Sequence, residues 1–221
     1  MVSPRIVSLW PTFSASPIIT KFAWSSLVER GLKRVLPRFA TVGPAGRTAT
    51  DLPGLAVVHV RRGDFKEHCD YLAGWLPLYT SWNLLPSLPD SYNAPSPQNY
   101  EDFQRRCFPT VDQIAARLHA VRKPGQNRIY IATNGKGAFL DELRRALRQD
   151  GWLEITTSRD IEQQLPADER LVSQGIDMEL AARADLFVGN GVSPLMLKCN
   201  GRADAVHLVF VVDRDDRDAS P

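Results

Sequence analysis

AVVHVRRGDF, residues Ala56–Phe65, is the stretch that decides how this chain reads. Leu55 precedes it, and Pro53-Gly54 and Gly63-Asp64 bound it. An apolar, β-branched run between such breakers reads as a buried strand running into a loop. In an α/β sheet a buried parallel strand is a near-continuous apolar run, and ligands collect at its carboxyl end. Here that end carries one imidazole and two guanidiniums. Period-two alternation sets Val58, Val60 and Arg62 on one side of the pleat and His59 and Arg61 on the other. Two adjacent arginines on a central strand are costly unless something anionic meets at least one of them. Arg binds phosphate in a bidentate manner and stays charged, so a phosphate group is the natural ligand. A carboxylate such as Asp64 is the alternative partner.

The chain has 221 residues, 43% of them hydrophobic, and a net charge of +2. That length allows one large domain with a sizeable core, and that composition argues against global disorder. So small a charge excess leaves no nucleic-acid footprint, and no apolar run is long enough to span a bilayer. MVSPRIVSLWPTFSASPIIT lacks the continuous apolar core of a signal peptide. Three cysteines, Cys69, Cys107 and Cys199, are too few for a disulfide scaffold, and no Cys/His spacing suggests zinc. Cys69 and Cys107 pair, leaving Cys199 free, or all three are reduced; the residues alone do not choose.

The first twenty residues, punctuated by Pro4, Pro11 and Pro17, read as extended or irregular. Ser25 to Phe39 has the spacing of an amphipathic helix that Pro37 ends or kinks. Thr41 to Pro53 reads as a linker, and the proline-rich Glu67 to Arg106 as the least regular part. Helices follow over Pro109 to Val121, Phe139 to Gln149 and Asp168 to Arg183, the last with Gly175 as a weak interior point. Strands follow over Arg128–Thr133, Leu153–Thr157, Leu186–Gly189 and Val206–Val212. This rhythm is an α/β pattern with a mostly parallel sheet. The turns at Arg61–Asp64, Thr133-Asn134 and Gly189–Ser193 then gather at one sheet edge, a nucleotide-sized site to which Arg62, Thr133 and Asn190 belong. GxGxxG does not follow the first strand, and GxxxxGK[ST] is absent, which excludes a P-loop.

HVRRGDF (His59–Phe65), YIATNG (Tyr130–Gly135) and DMELAARADLFVGNGVS (Asp177–Ser193) together resemble the GDP-fucose-dependent protein O-fucosyltransferases. SLWPTFSASPI, FAWSSLVERGL, the pair His68-Cys69 and TTSRD (Thr156–Asp160) resemble its fungal members more closely. The resemblance runs from about Ser8 to Ser193. It implies a Rossmann-like donor-binding domain over 51–212, like the C-terminal domain of a GT-B glycosyltransferase. Residues 1–50 would be a remnant of the N-terminal region, too short to build the family's other domain, and 213–221 a charged tail. It implies an inverting transfer of fucose from GDP-fucose to a protein or glycan hydroxyl, without a metal cofactor, in the lumen of the secretory pathway.

By the same resemblance Arg61 is the essential arginine at the donor's phosphates and glycosidic oxygen, and His59 the histidine two residues before it. Asp177 reads the guanine edge, and Ser193 is the first phosphate-binding hydroxyl. Breaking the C–O bond builds negative charge on the β-phosphate, and a fixed guanidinium there favours the transition state over the ground state. Each residue also has a plainer reading: His59 as a core histidine, Asp177 as an acid paired with Arg183, Ser193 as a turn serine, and Asn190 as a turn-former between glycines. The chain departs from the family in having no GxGN turn before Thr41 and in placing Pro194 after Ser193. The readings that follow are a fucosyltransferase domain, an inactive nucleotide-sugar binding module, or a structural interaction domain.

Overall fold

The computed structural model describes residues 5–39, 52–75, 100–190 and 206–209. Three short helices, α1 (Arg5–Ser8), α2 (Trp10–Ser14) and α3 (Pro17–Thr20), open the chain where the prolines predict irregular backbone. Pro11 and Pro17 lie in the first turns of α2 and α3, where a missing N–H leaves no bond unmade. Helix α4 (Ser26–Val35) is capped by the Ser25 side chain, which accepts from Val28 N–H. A 3₁₀ turn over Leu36–Arg38 follows, and Pro37 stops the α-helix by its lack of an N–H.

Strands β1 (Leu52–Val60), β2 (Arg128–Thr133), β3 (Glu154–Thr157), β4 (Ala184–Gly189) and β5 (Val206–Val209) form a parallel sheet in the order β3-β2-β1-β4-β5. The protein has an α/β fold. Strand β1 starts at Leu52, before the Pro53-Gly54 breaker. It does so through an irregularity opposite β4, where Gly54 adopts φ 75° and donates its N–H to the Asp185 carboxylate. Central β1 pairs Val57 with Tyr130 and His59 with Ala132 on β2, and Val58 with Val188 on β4.

Helices α5 (Phe65–Ala73), α6 (Tyr100–Cys107) and α7 (Val111–Val121) lie between β1 and β2, and α8 (Ala138–Gln149) between β2 and β3. Helices α9 (Ser158–Glu162), α10 (Ala167–Arg170) and α11 (Ser173–Arg183) lie between β3 and β4. Both ends of the stretch expected to be irregular are therefore helical. Cys69 and Ala73 on α5 meet Phe103 and Cys107 on α6, apolar pairs at helical spacing. All the prolines that suggested irregularity there (Pro77, Pro86, Pro89, Pro95 and Pro97) lie outside the described residues.

The core has two layers. Ala56, Val58 and Val60 pack with Ile114, Leu118, Leu143 and Leu147 of α7 and α8. Leu55 and Val57 pack on the opposite face with Val28, Leu32 and Val35 of α4 and Ile176 and Leu180 of α11. Gly31 makes the α4–α11 approach possible: a Cβ there would lie 2.6 Å from Ile176 Cδ1. The chain runs from β1 outward to β3 and then returns to β4 on the other side of β1. That reversal puts a topological switch point between β1 and β4, the place where such sheets bind ligands.

Candidate functional site

The β1 exit divides its charges between the two faces of the sheet. His59 is buried on the α11 face beside Arg61, and its Nδ1 has no hydrogen-bond partner. Burial, and then the Arg61 charge, push its pKa down to about 4, so the imidazole is neutral at physiological pH. Arg61 pairs with Asp64 at 3.2 Å, an ion pair in which both side chains reach solvent. Its Cζ lies 5.9 Å from the centre of the Phe65 ring, and its Nε is buried without a partner.

Arg62 turns to the α7/α8 face. It is 7% exposed, with its Cζ 4.3 Å from the centre of the Phe108 ring and 4.2 Å from that of Phe139. Nη2 donates to the Pro109 carbonyl, while Nη1 is buried without a partner. Burial pushes its pKa down to about 10, which leaves it charged at neutral pH. Sequence reasoning does not single out Phe108, and it reads Pro109 only as the opening of a helix, which in the structure starts at Val111.

The β2 exit closes on β1. Thr133 Oγ1 donates to the Val60 carbonyl and accepts from Gly135 N–H at 2.9 Å, so this hydroxyl serves the turn. Asn134 Oδ1 accepts from Arg62 N–H at 2.7 Å, and its Nδ2 donates to the Arg62 carbonyl at 3.0 Å. At the β4 exit buried Asn190 donates Nδ2 to the Cys107 carbonyl at 3.1 Å, and its Oδ1 has no partner. Ser193 lies outside the described residues.

Asp177, on α11, meets β2 from the α11 face. It accepts from the Tyr130 hydroxyl and from Ser158 Oγ, the latter at 2.9 Å. Arg183, its possible partner by sequence, pairs with Glu179 instead. Burial raises the Asp177 carboxyl pKa to about 7, and the two hydroxyl bonds offset only part of that. Ser158 also accepts from Thr133 N–H at 3.0 Å, which ties the acid to the β2 exit. Within TTSRD, the signal that could have found Ser158 is the capping box of Thr157 and Asp160, which puts it at the start of α9.

An open cleft of about 710 Å³ lies along this edge, lined by residues that include Arg62, Asp64, Thr110, Asn134, Lys136 and Phe139. Arg62 lines it and Arg61 does not. Cys69 and Cys107 form a disulfide, the choice that the sequence left open. Among the described residues, no three His, Cys, Asp or Glu side chains are grouped to hold a metal ion, and no helix is long and apolar enough to cross a membrane.

No family model matches the chain, and no curated protein does. Solved structures of POFUT1 are similar to it. The complex with GDP is 20% identical with a TM-score of 0.48, covering 85% of this chain and 48% of that one. The complex with GDP-fucose is 17% identical with a TM-score of 0.47, covering 86% and 48%. The apo form is 20% identical with a TM-score of 0.48, covering 85% and 47%. The chain thus spans about half the length of these proteins.

Proposed function

We propose that the carboxyl edge of the sheet binds GDP-fucose, and that the chain is the donor-binding half of an inverting fucosyltransferase like the fungal proteins its motifs resemble. One observation carries this reading. His59 Nδ1, Arg61 Nε, Arg62 Nη1 and Asn190 Oδ1 are all buried without partners at the exits of β1 and β4. Buried polar atoms left unpaired cost free energy, and unpaired atoms at two neighbouring strand exits beside a switch point fit a polar ligand.

Arg61 supplies positive charge to the β-phosphate as the bond to the sugar breaks. Its exposed pair with Asp64 is weak enough to yield to a diphosphate. His59, buried with its Nδ1 unpaired, offers a hydrogen bond to the donor. Arg62 and Asn190 add donor contacts, with Thr133 shaping the turn beside them. Asp177, oriented by Tyr130 and Ser158, reads the guanine edge, and Ser193 binds phosphate. The acceptor is a protein or glycan hydroxyl, and no metal takes part.

Calorimetry with GDP, run beside an assay for GDP release from GDP-fucose with candidate acceptors, tests this. Binding and release together support it; no GDP binding contradicts it. Binding without release favours the second reading, a non-catalytic nucleotide-sugar module. The observation on that side is that Arg61 faces Asp64 and does not line the cleft.

A further inference from the structure

We propose that Cys107–Pro109, anchored by the Cys69–Cys107 disulfide, is the element that positions Arg62 and Asn190 for the nucleotide. This rests on the reading of the carboxyl edge as a nucleotide site. Three successive residues each hold part of that edge. The Cys107 carbonyl accepts from Asn190 Nδ2 at 3.1 Å, the Phe108 ring lies 4.3 Å from the Arg62 guanidinium carbon, and the Pro109 carbonyl accepts from Arg62 Nη2. One short segment therefore sets two neighbouring strand exits, since β1 and β4 pair directly.

The disulfide closes this arrangement. Cys69 stands on α5, which begins just after the Arg62 turn, and it is bonded to Cys107 at the start of the supporting segment. Arg62 is thus held both by the chain that follows it and by the chain that this chain is bonded to. Hydrophobic packing alone is a weak substitute. Cys69, Ala73, Phe103 and Cys107 form a small cluster of their own, apart from the two large layers on the sheet faces. Both cysteines are at most 1% exposed, so the bond is a built-in constraint and not a surface switch. Its effect on binding is preorganisation: it keeps the guanidinium and the amide in place before the ligand arrives.

The test is amide hydrogen exchange on the full chain without ligand, with GDP calorimetry in parallel. In the double variant Cys69→Ala/Cys107→Ala, exchange rises roughly tenfold or more at the exits, residues 59–63 and 187–190, while β3 and α8 keep their protection. GDP affinity falls by about tenfold. Equal loss of protection in every strand overturns the proposal, because it marks a merely global effect. Unchanged exchange at the exits overturns it too, as does unchanged GDP affinity beside faster exchange. Should the double variant not fold, Phe108→Leu keeps the disulfide and removes the ring beneath Arg62. It is expected to loosen the same exits, with Phe108→Tyr restoring them; exchange in Phe108→Leu equal to that of the parent overturns the proposal. A parent chain that fails to bind GDP contradicts the proposed function instead, and the exchange pattern still decides for or against the positioning element.

Discussion

Asn134 satisfies both backbone polar groups of Arg62, accepting from its N–H at 2.7 Å and donating to its carbonyl at 3.0 Å. A side chain from the β2 exit thus holds the backbone two residues past Val60, just where β1 must stop and present its arginines. Replacing Asn134 with Ala removes both bonds. We expect a loss of about 1–2 kcal/mol in urea unfolding. Asn134→Asp, which keeps the acceptor, should lose less. Equal stability of Asn134→Ala and the parent would show that the β1 exit does not need this bridge.

Two groups whose pKa values burial shifts link stability to pH in opposite directions. The Asp177 carboxyl is raised to about 7, so between roughly pH 4 and 7 the folded chain holds a proton that the unfolded chain has lost. Its contribution is present at low pH and falls as pH rises through that window. His59 is lowered to about 4, so between about pH 4 and 6.5 the unfolded chain binds a proton that the folded one refuses. Its contribution is present at high pH and falls as pH drops. In the parent the two slopes oppose each other. In Asp177→Asn only the histidine slope remains, so this variant should gain on the parent by up to about 1.4 kcal/mol per pH unit toward pH 7. Urea unfolding at pH 4.5, 5.5, 6.5 and 7.5 reads this directly; a constant difference between the two chains would contradict it.

The aromatic cage around Arg62 makes a third prediction. Arg62→Lys keeps the charge and loses the flat ion between Phe108 and Phe139. We expect a loss of about 1–2 kcal/mol, drawn from both stacked contacts, together with weaker GDP binding. Thermal unfolding and calorimetry on the same sample check both. An unaltered midpoint would mean that the rings serve only as cleft walls.

Much of this edge is legible in the sequence. The strand alternation already sends Arg61 and Arg62 to opposite faces, because period two survives two residues past the end of β1. Strands β1, β2 and β4 and helices α7 and α8 follow from continuous apolar runs and clear apolar stripes. What stayed hidden depends on contacts between residues far apart in the chain. Nothing near Asp177 announces that Tyr130 and Ser158 will engage its carboxyl, and nothing near Asn190 points to the Cys107 carbonyl. Helices α5 and α6 were missed because each has a short apolar stripe that gains meaning only beside the other. Gly175 looked like a weakness in its helix; a Cβ there would lie 3.2 Å from Val28 Cγ2, so it serves the packing of α11 on α4.

GDP titration of the parent and of Arg61→Ala by calorimetry decides whether the Arg61 guanidinium meets the nucleotide's phosphates. The parent should bind measurably and Arg61→Ala should lose at least roughly tenfold, in line with removal of a charged hydrogen-bond donor. Binding of equal strength in the two chains would contradict it.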